Sequence, residues 1–317
     1  TLTEDVLKSS EIEGEQLDAE QVRSSIARRL GMDIGGLKPV DRNVEGVVEM
    51  MLDATGHYEQ PLTAERLFGW HASLFSTGRS GMRRIRVGAW RDDSSGPMQV
   101  VSGAVGRERG HFEAPAAGRL DREMQVFLDW FNEKTESDWV VKAGLAHLWF
   151  VTIHPFDDGN GRIARAIADM ALARSEQSAQ RFYSMSAQIR QEHVAYYDIL
   201  ENTQKGEMDI TPWMDWFLGC LGRAIDGAQG ILGTILFKAR FWEAIGDFPL
   251  NERQRRLLNR LLDGFDGKLT TRKWAKLAKC SHDTALRDIA ALVEGGILVR
   301  NPEGGRSTSY SLASARA

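Results

Sequence analysis

His154-Pro155-Phe156-Asp157-Asp158-Gly159-Asn160-Gly161-Arg162-Ile163-Ala164-Arg165 is the stretch on which the reading of this chain turns. An apolar helical run from Ala143 to Ile153 precedes it, and Ile163, Ile167, Met170 and Ala171 recur at helical spacing after it, so it reads as the loop of a helix-loop-helix. Gly159 and Gly161 let backbone N–H groups approach an anion closely, and the start of the following helix adds partial positive charge. Arg162 and Arg165 lie one helical turn apart and suit several phosphate oxygens at once. The loop is therefore a polyphosphate cradle. Asp158 places a carboxylate beside it, where Mg²⁺ can bridge carboxylate and phosphates, and His154 stands ahead of it as a general base for neutral pH.

Outward from the loop, the chain is mainly α. Leu120, Met124, Phe127, Leu128 and Phe131 mark one amphipathic helix, and Tyr196, Leu200, Trp213, Trp216 and Phe217 belong to a later helical series that ends at Phe248-Pro249. Between Gly78 and Pro115 the texture changes to glycines and polar residues around short β-prone runs, Met98 to Val101 and His111 to Glu113, which predict a hairpin or extended flap. Beyond Pro249 three short helices are expected, Glu252 to Leu262, Thr271 to Lys279 and Asp283 to Glu294, then a hairpin of Ile297 to Arg300 and Ser307 to Leu312. That order suggests a winged helix-turn-helix.

With 42% hydrophobic and 26% charged residues the composition is that of a globular protein. No apolar stretch approaches the roughly 20 residues a bilayer demands, and no signal-peptide pattern opens the chain, so a cytoplasmic protein without membrane contact is expected. Cys220 and Cys280 lack metal-ligand or redox spacing, and the seven histidines form no zinc motif, so any metal is expected to arrive with a substrate. Residues 250–317 carry 13 Lys and Arg against 7 Asp and Glu, whereas the rest carries 27 against 37, a basic tail on an acidic body.

The loop matches the Fic signature His-Pro-Phe-x-Asp/Glu-Gly-Asn-Gly-Arg-x-x-Arg at every defined position, and the chain resembles Fic proteins from about Thr3 to Phe217, with Gly88-Ala89-Trp90-Arg91 as a form of the family's flap entry. The resemblance implies a Fic helical core (76–248, with a β-hairpin flap at about 86–115) after an N-terminal helical region (1–75), and the pattern of the tail adds a winged-helix domain over 249–317. It implies a protein adenylyltransferase that moves AMP from ATP-Mg²⁺ to a Ser, Thr or Tyr hydroxyl, itself included. In that scheme His154 deprotonates the hydroxyl and Asp158 coordinates Mg²⁺. Asn160 with the Gly159 and Gly161 amides holds the α-phosphate region, and Arg162 and Arg165 hold the outer phosphates. Tyr197, Leu200 and Gln204 correspond to an adenine-side wall, although aromatic residues at helical spacing also fit plain core packing. The flap would clamp a target by strand addition, or be an ordinary surface hairpin.

Ser9-Ser10-Glu11-Ile12-Glu13-Gly14 fits the family's inhibitory pattern Ser/Thr-x-x-x-Glu-Gly/Asn at Ser9, Glu13 and Gly14, within a helix near 3–16. By resemblance Glu13 pairs with Arg165 in place of the γ-phosphate, and the same glutamate permits removal of AMP as a rival reaction. For the basic tail, Ser281, His282, Thr284 and Arg287 on the third helix and Arg306 in the wing leave three roles open: DNA contact, target docking and a homodimer contact, with DNA not favoured. A DNA-binding regulator with a nucleotide-sensing body is the alternative function.

Overall fold

The computed structural model describes residues 1–317 except 33–35, 95, 103–108, 134–137, 247, 266, 303–307 and 314–317. It is mainly α. The elements in order are α1 (Leu2–Ile12), α2 (Ala19–Arg29), α3 (Arg42–Gly56), α4 (Ala64–Leu74), β1 (Arg79–Ser80), β2 (Arg83–Arg84), β3 (Gln99–Ser102) and β4 (Arg109–Glu113). A 3₁₀ turn (Ala117–Arg119) leads to α5 (Leu120–Asn132), α6 (Trp139–Ile153), α7 (Asn160–Glu176), α8 (Met185–Gln191), α9 (His193–Lys205) and α10 (Thr211–Ile245). The chain ends with α11 (Glu252–Leu262), β5 (Leu269–Thr270), α12 (Thr271–Ala278), α13 (His282–Glu294), β6 (Leu298–Arg300) and β7 (Ser309–Leu312).

Two compact units divide the chain, Thr1–Ala228 and Gln229–Ala317. In the first, α6 and α7 are the central pair. Helix α7 buries nearly every residue from Asn160 to Ala173, so it is a core helix on all sides and not an amphipathic surface one. Its Ile163, Ile167 and Met170 share one apolar cluster with Phe127 and Phe131 of α5, Phe150 of α6 and Met50 and Met51 of α3. Helix α6 starts where the Asp138 carboxylate accepts the Val140 N–H at 2.8 Å, four residues earlier than the apolar run alone predicts. It stops at His154, whose φ of 51° is left-handed, just ahead of Pro155.

The expected flap hairpin pairs β3 with β4 antiparallel, Gln99 opposite Glu113 and Ser102 opposite Arg109, with a register shift between Val100 and Val101. Its connecting residues 103–108 lie outside the described set. A second, two-residue hairpin, β1 with β2, precedes it.

The second unit has its own core around Trp274, Leu258, Ile289 and Leu292. Sequence reading put a domain boundary at Phe248-Pro249, whereas the compact units part at 228/229, because Phe241 is buried in this second core with Trp242 and Ile245 against it. Helix α11 begins with a reciprocal capping box between Asn251 and Gln254, and α13 with Ser281 accepting the Thr284 N–H. The sheet runs in the order β5-β7-β6, antiparallel throughout, and β5 is a strand the sequence pattern did not announce. Arg306, placed in the wing from sequence, lies outside the described residues. No helix among those described is long and apolar enough to cross a membrane.

Candidate active site

The loop between α6 and α7 is fixed from inside by Asn160. Its side-chain oxygen accepts the Phe156 N–H at 3.0 Å and its amide donates to the Phe156 carbonyl at 2.8 Å. The sequence reading gave this side chain to a phosphate; here its oxygen and one of its two amide N–H donors hold the loop, which leaves its second N–H and its main chain for an anion. Phe156 is buried and stacks on His71 at 4.2 Å. Gly159 caps α7 with φ 80°, and a Cβ there would meet the Phe75 ring at 2.8 Å.

His154 is half-buried, and its left-handed backbone is held by three contacts. Its N–H donates to Phe150, its carbonyl accepts from Arg91 Nε at 2.8 Å, and the Arg91 N–H donates to the Pro155 carbonyl at 2.9 Å. The ring Nδ1 lies 3.2 Å from the Val151 carbonyl, which can only accept, so Nδ1 carries the proton of the neutral imidazole and Nε2 keeps its lone pair. Burial pushes the His154 pKa down to about 4, with Arg91 adding to the effect against the Val151 carbonyl and Asp158. At neutral pH the ring is therefore an unprotonated base.

Arg165 is 2% exposed and Arg162 3% exposed, so both guanidinium groups are turned inward. Arg165 donates to Ser9 Oγ and to the Ser9 carbonyl, each at 2.9 Å, and to Glu13 Oε1 at 2.7 Å. Arg162 donates to Glu15 Oε2 at 2.9 Å and lies over the Phe75 ring. Among the described residues Arg165 Nη1 and Arg162 Nε have no partner, which leaves donors for an anionic ligand. The Glu13 carboxylate rests against the first turn of α7: a Cβ on Gly161 would come within 2.3 Å of its Oε1. Gly161 is thus required for the approach of a carboxylate oxygen here, as it would be for a phosphate oxygen. Gly14 ends the approach of α1 with φ 80°, a conformation that suits glycine.

Asp158 receives the Ser80 hydroxyl on Oδ2 and the Gly159 N–H on Oδ1 at 2.6 Å. Among the described residues no cationic side chain pairs with it, so its charge is left for a cation that brings further oxygen ligands, which suits Mg²⁺ shared with phosphates. Asp157 is occupied differently, accepting the Arg86 N–H at 2.8 Å.

The remaining expected residues scatter. Tyr197 is 45% exposed and donates to the Ile12 carbonyl at 3.3 Å, tying α9 to the end of α1. Leu200 is core. Gln204 donates to Thr152 Oγ1 at 3.2 Å beside a cavity of about 450 Å³ lined by Trp130, Leu148, Trp149 and Met208. Three residues that sequence reasoning gave no role join the site: Arg91, Ser80 and Glu15. Only Arg91 left a signal, in the quoted stretch Gly88 to Arg91.

Comparison with known proteins agrees with this geometry. The sequence model of the Fic/DOC family matches residues 61–172, which include the whole loop from His154 to Arg165. Residues 61–172 are thus similar to the Fic/DOC family. A second model, described as a domain of unknown function (DUF4172), matches residues 1–32. The protein adenylyltransferase Fic of Drosophila willistoni is 34% identical over 114 residues, 35% of this chain and 21% of that protein. The namesake from Nematostella vectensis is 33% identical over the same length, 35% of this chain and 25% of its own. The chain therefore spans about a quarter or less of these relatives. A crystal structure of a Fic family protein from Desulfovibrio desulfuricans G20 superposes with a TM-score of 0.54 at 23% identity, over 98% of this chain and 86% of that one, a likeness of fold.

Proposed function

We propose that the chain transfers AMP from ATP to a hydroxyl of a protein, with His154 as general base and Glu13 holding the reaction in check. The observation that carries this reading is the anion site at the start of α7. Two buried arginines and a glycine turn converge there, and the protein's own carboxylates, Glu13 and Glu15, meet them.

In this reading the polyphosphate takes the place of those carboxylates, bound by Arg162, Arg165 and the main chain around Gly159 and Gly161. His154 Nε2 accepts the proton of the target hydroxyl. The freed oxygen bonds to the α-phosphorus, the bridging P–O bond to the β-phosphate breaks, and pyrophosphate leaves. Mg²⁺, when bound through Asp158 and the phosphates, supplies neutralising charge. Tyr197, Leu200 and Gln204 are assigned to the nucleobase side, and β3 with β4 to the target's main chain. Docked Glu13 competes with the γ-phosphate for Arg165, and this competition is the brake.

A second reading shares the site. The Glu13 carboxylate beside Gly161 can orient a water toward a phosphate bound there, which favours removal of AMP from a modified protein when α1 stays docked. Residues 249–317 are read as a winged helix-turn-helix that docks a partner. The exposed Leu286 and Val293, seven residues apart on one face of α13, favour a protein surface over a DNA groove.

Mass spectrometry of the purified chain after incubation with ATP-Mg²⁺ tests the proposal. Glu13→Gly is expected to gain a hydroxyl-linked AMP that the parent chain gains slowly, and His154→Ala to gain none. Equal labelling of parent and Glu13→Gly would remove the brake, and labelling of His154→Ala would remove the base.

A further inference from the structure

The β1–β2 hairpin breaks a rule of strand pairing. Arg79 stands directly opposite Arg84 in the ladder, and Arg83 opposite Ser80, so a ribbon of two residues per strand sets like charges face to face. Such a pair is destabilising unless an anion lies between or beside the two groups. Arg86 follows within two residues, and all four arginines are exposed, as is Met82 at the turn.

The acids nearby do not cancel this charge. Asp92 holds Ser94 and sits 3.5 Å from Arg86, Asp93 receives the Ala117 N–H and Arg91, Asp157 receives the Arg86 main chain, and Asp158 receives Ser80. Among the described residues Arg79 donates only to the Met82 carbonyl. Among the described residues Arg83 and Arg84 have no ion-pair partner. This happens in a body whose residues 1–249 carry 27 Lys and Arg against 37 Asp and Glu, so the patch is a local reversal of sign.

The patch is also continuous with the proposed site. The Ser80 hydroxyl holds Asp158, and a cavity of about 370 Å³ is lined by Arg83, Arg84 and Arg86, by Gln99 of flap strand β3, and by Asp92 and Asp157, whose carboxylates already take the contacts given above. A chain paired along the flap would pass beside these guanidinium groups.

We infer that the Arg79–Arg86 hairpin is a docking surface for an acidic segment of the target protein, and that it selects acceptor hydroxyls with Asp or Glu nearby. The choice of a protein partner rests on the AMP-transfer reading. The charge argument does not. A ribbon of two residues per strand also offers too short a track for a nucleic-acid backbone, whose phosphates recur along the whole duplex.

Binding tests this without turnover. A fluorescein-labelled peptide with four Asp or Glu residues around a central Thr is titrated with the full chain by anisotropy, beside a Gln-substituted peptide and a labelled DNA duplex. The acidic peptide is expected to bind at least about tenfold more tightly than the Gln peptide, with affinity falling as salt rises. The double variant R83E/R84E is expected to lose that preference and R83K/R84K to keep it, while ATP binding stays unchanged in both. Equal binding of acidic and Gln peptides, or an acidic preference that survives R83E/R84E, overturns the inference. DNA binding that exceeds the peptide's and disappears in R83E/R84E overturns it in favour of a nucleic acid. Each outcome reads separately from labelling by ATP, so loss of AMP transfer and loss of docking are distinguishable.

Discussion

A base that works near neutral pH needs an outward lone pair in a fixed place, and at His154 both requirements run through Arg91. That guanidinium is buried, donates to the His154 and Pro115 carbonyls, and adds a positive charge that works with burial to keep the imidazole unprotonated. Arg91→Gln should therefore act in two ways. The left-handed His154 loses one restraint, and kcat should fall by about 10- to 100-fold, the scale of small misplacements in a site. The imidazole pKa should rise from about 4, which moves the acid limb of the kcat/KM profile to higher pH. Arg91→Lys keeps the charge without the paired donors, so it should keep the acid limb and still lose rate. A kcat loss in Arg91→Gln with an unmoved acid limb would mean that Arg91 is structural only. The sequence disclosed His154 to Arg165 because those residues are contiguous and their types limit the chemistry. It marked Arg91 within Gly88 to Arg91 but not its work on a main-chain carbonyl 63 residues away, and it left no sign of Glu15, 147 residues from Arg162, because side-chain contacts at such separations follow from the fold and not from local spacing.

At the scale of elements, α1 is docked by polar groups as much as by apolar ones: Asp5, Ser9 and Ser10 are buried beside Val6 and Ile12. Asp5 sits against Arg181 and Asp169, with the Ser184 hydroxyl on its carboxylate, so two buried acids share one guanidinium. Neither α2 nor α3, which also pack on α1, places a hydrogen-bonding or ion-pairing side chain on Asp5 among the described residues. Burial first, and Asp169 second, push the Asp5 pKa up to about 7, against Arg181 and Ser184. A released α1 would return it to the ordinary value of about 3.9. The docked form therefore holds the extra proton. Docking weakens as pH rises from about 4 through 7 and levels off above. From pH 8 down to pH 6 the docking equilibrium should therefore strengthen. The ratio of labelling rates, Glu13→Gly over the parent chain, should rise accordingly at pH 6, since the pH dependence of His154 cancels in it. In an Asp5→Asn background the ratio should be flat, and a flat ratio with Asp5 intact would sink the idea. Helical periodicity disclosed most of the helices, and the flap strands were legible from β-prone runs. The β1–β2 hairpin was not, because two-residue strands of Arg and Ser have no alternation to read.

For the whole molecule, the two units have separate cores, and the second is organised by one carboxylate that the sequence could not single out. Asp288 on α13 accepts from the Asn251 amide at 3.0 Å and from Arg253 at 3.1 Å, both at the start of α11, and from Trp274 Nε1 of α12 at 3.4 Å. The Asp288 carbonyl takes the Gln254 amide as well. Three helices thus meet at a side chain that hydropathy would assign to the surface, which is why the apolar pattern alone located the helices and not their junction. Burial alone would raise the Asp288 pKa, but Arg253 and Asn251 outweigh it and hold the carboxyl below its ordinary range. Because the folded value is the lower one, the stabilisation is present above about pH 4 and is lost as pH falls through the folded pKa. Asp288→Ala leaves the buried Trp274 N–H and the Asn251 amide without their acceptor, while Arg253, partly exposed, regains water. The expected cost is about 2 kcal/mol, the range for removing one partner of a mostly buried network with an exposed end. Amide hydrogen exchange should place that loss in α11, α12 and α13, with α6 and α7 protected as before and ATP binding unchanged. Equal loss of protection in α6 and α7 would show that the two cores unfold as one.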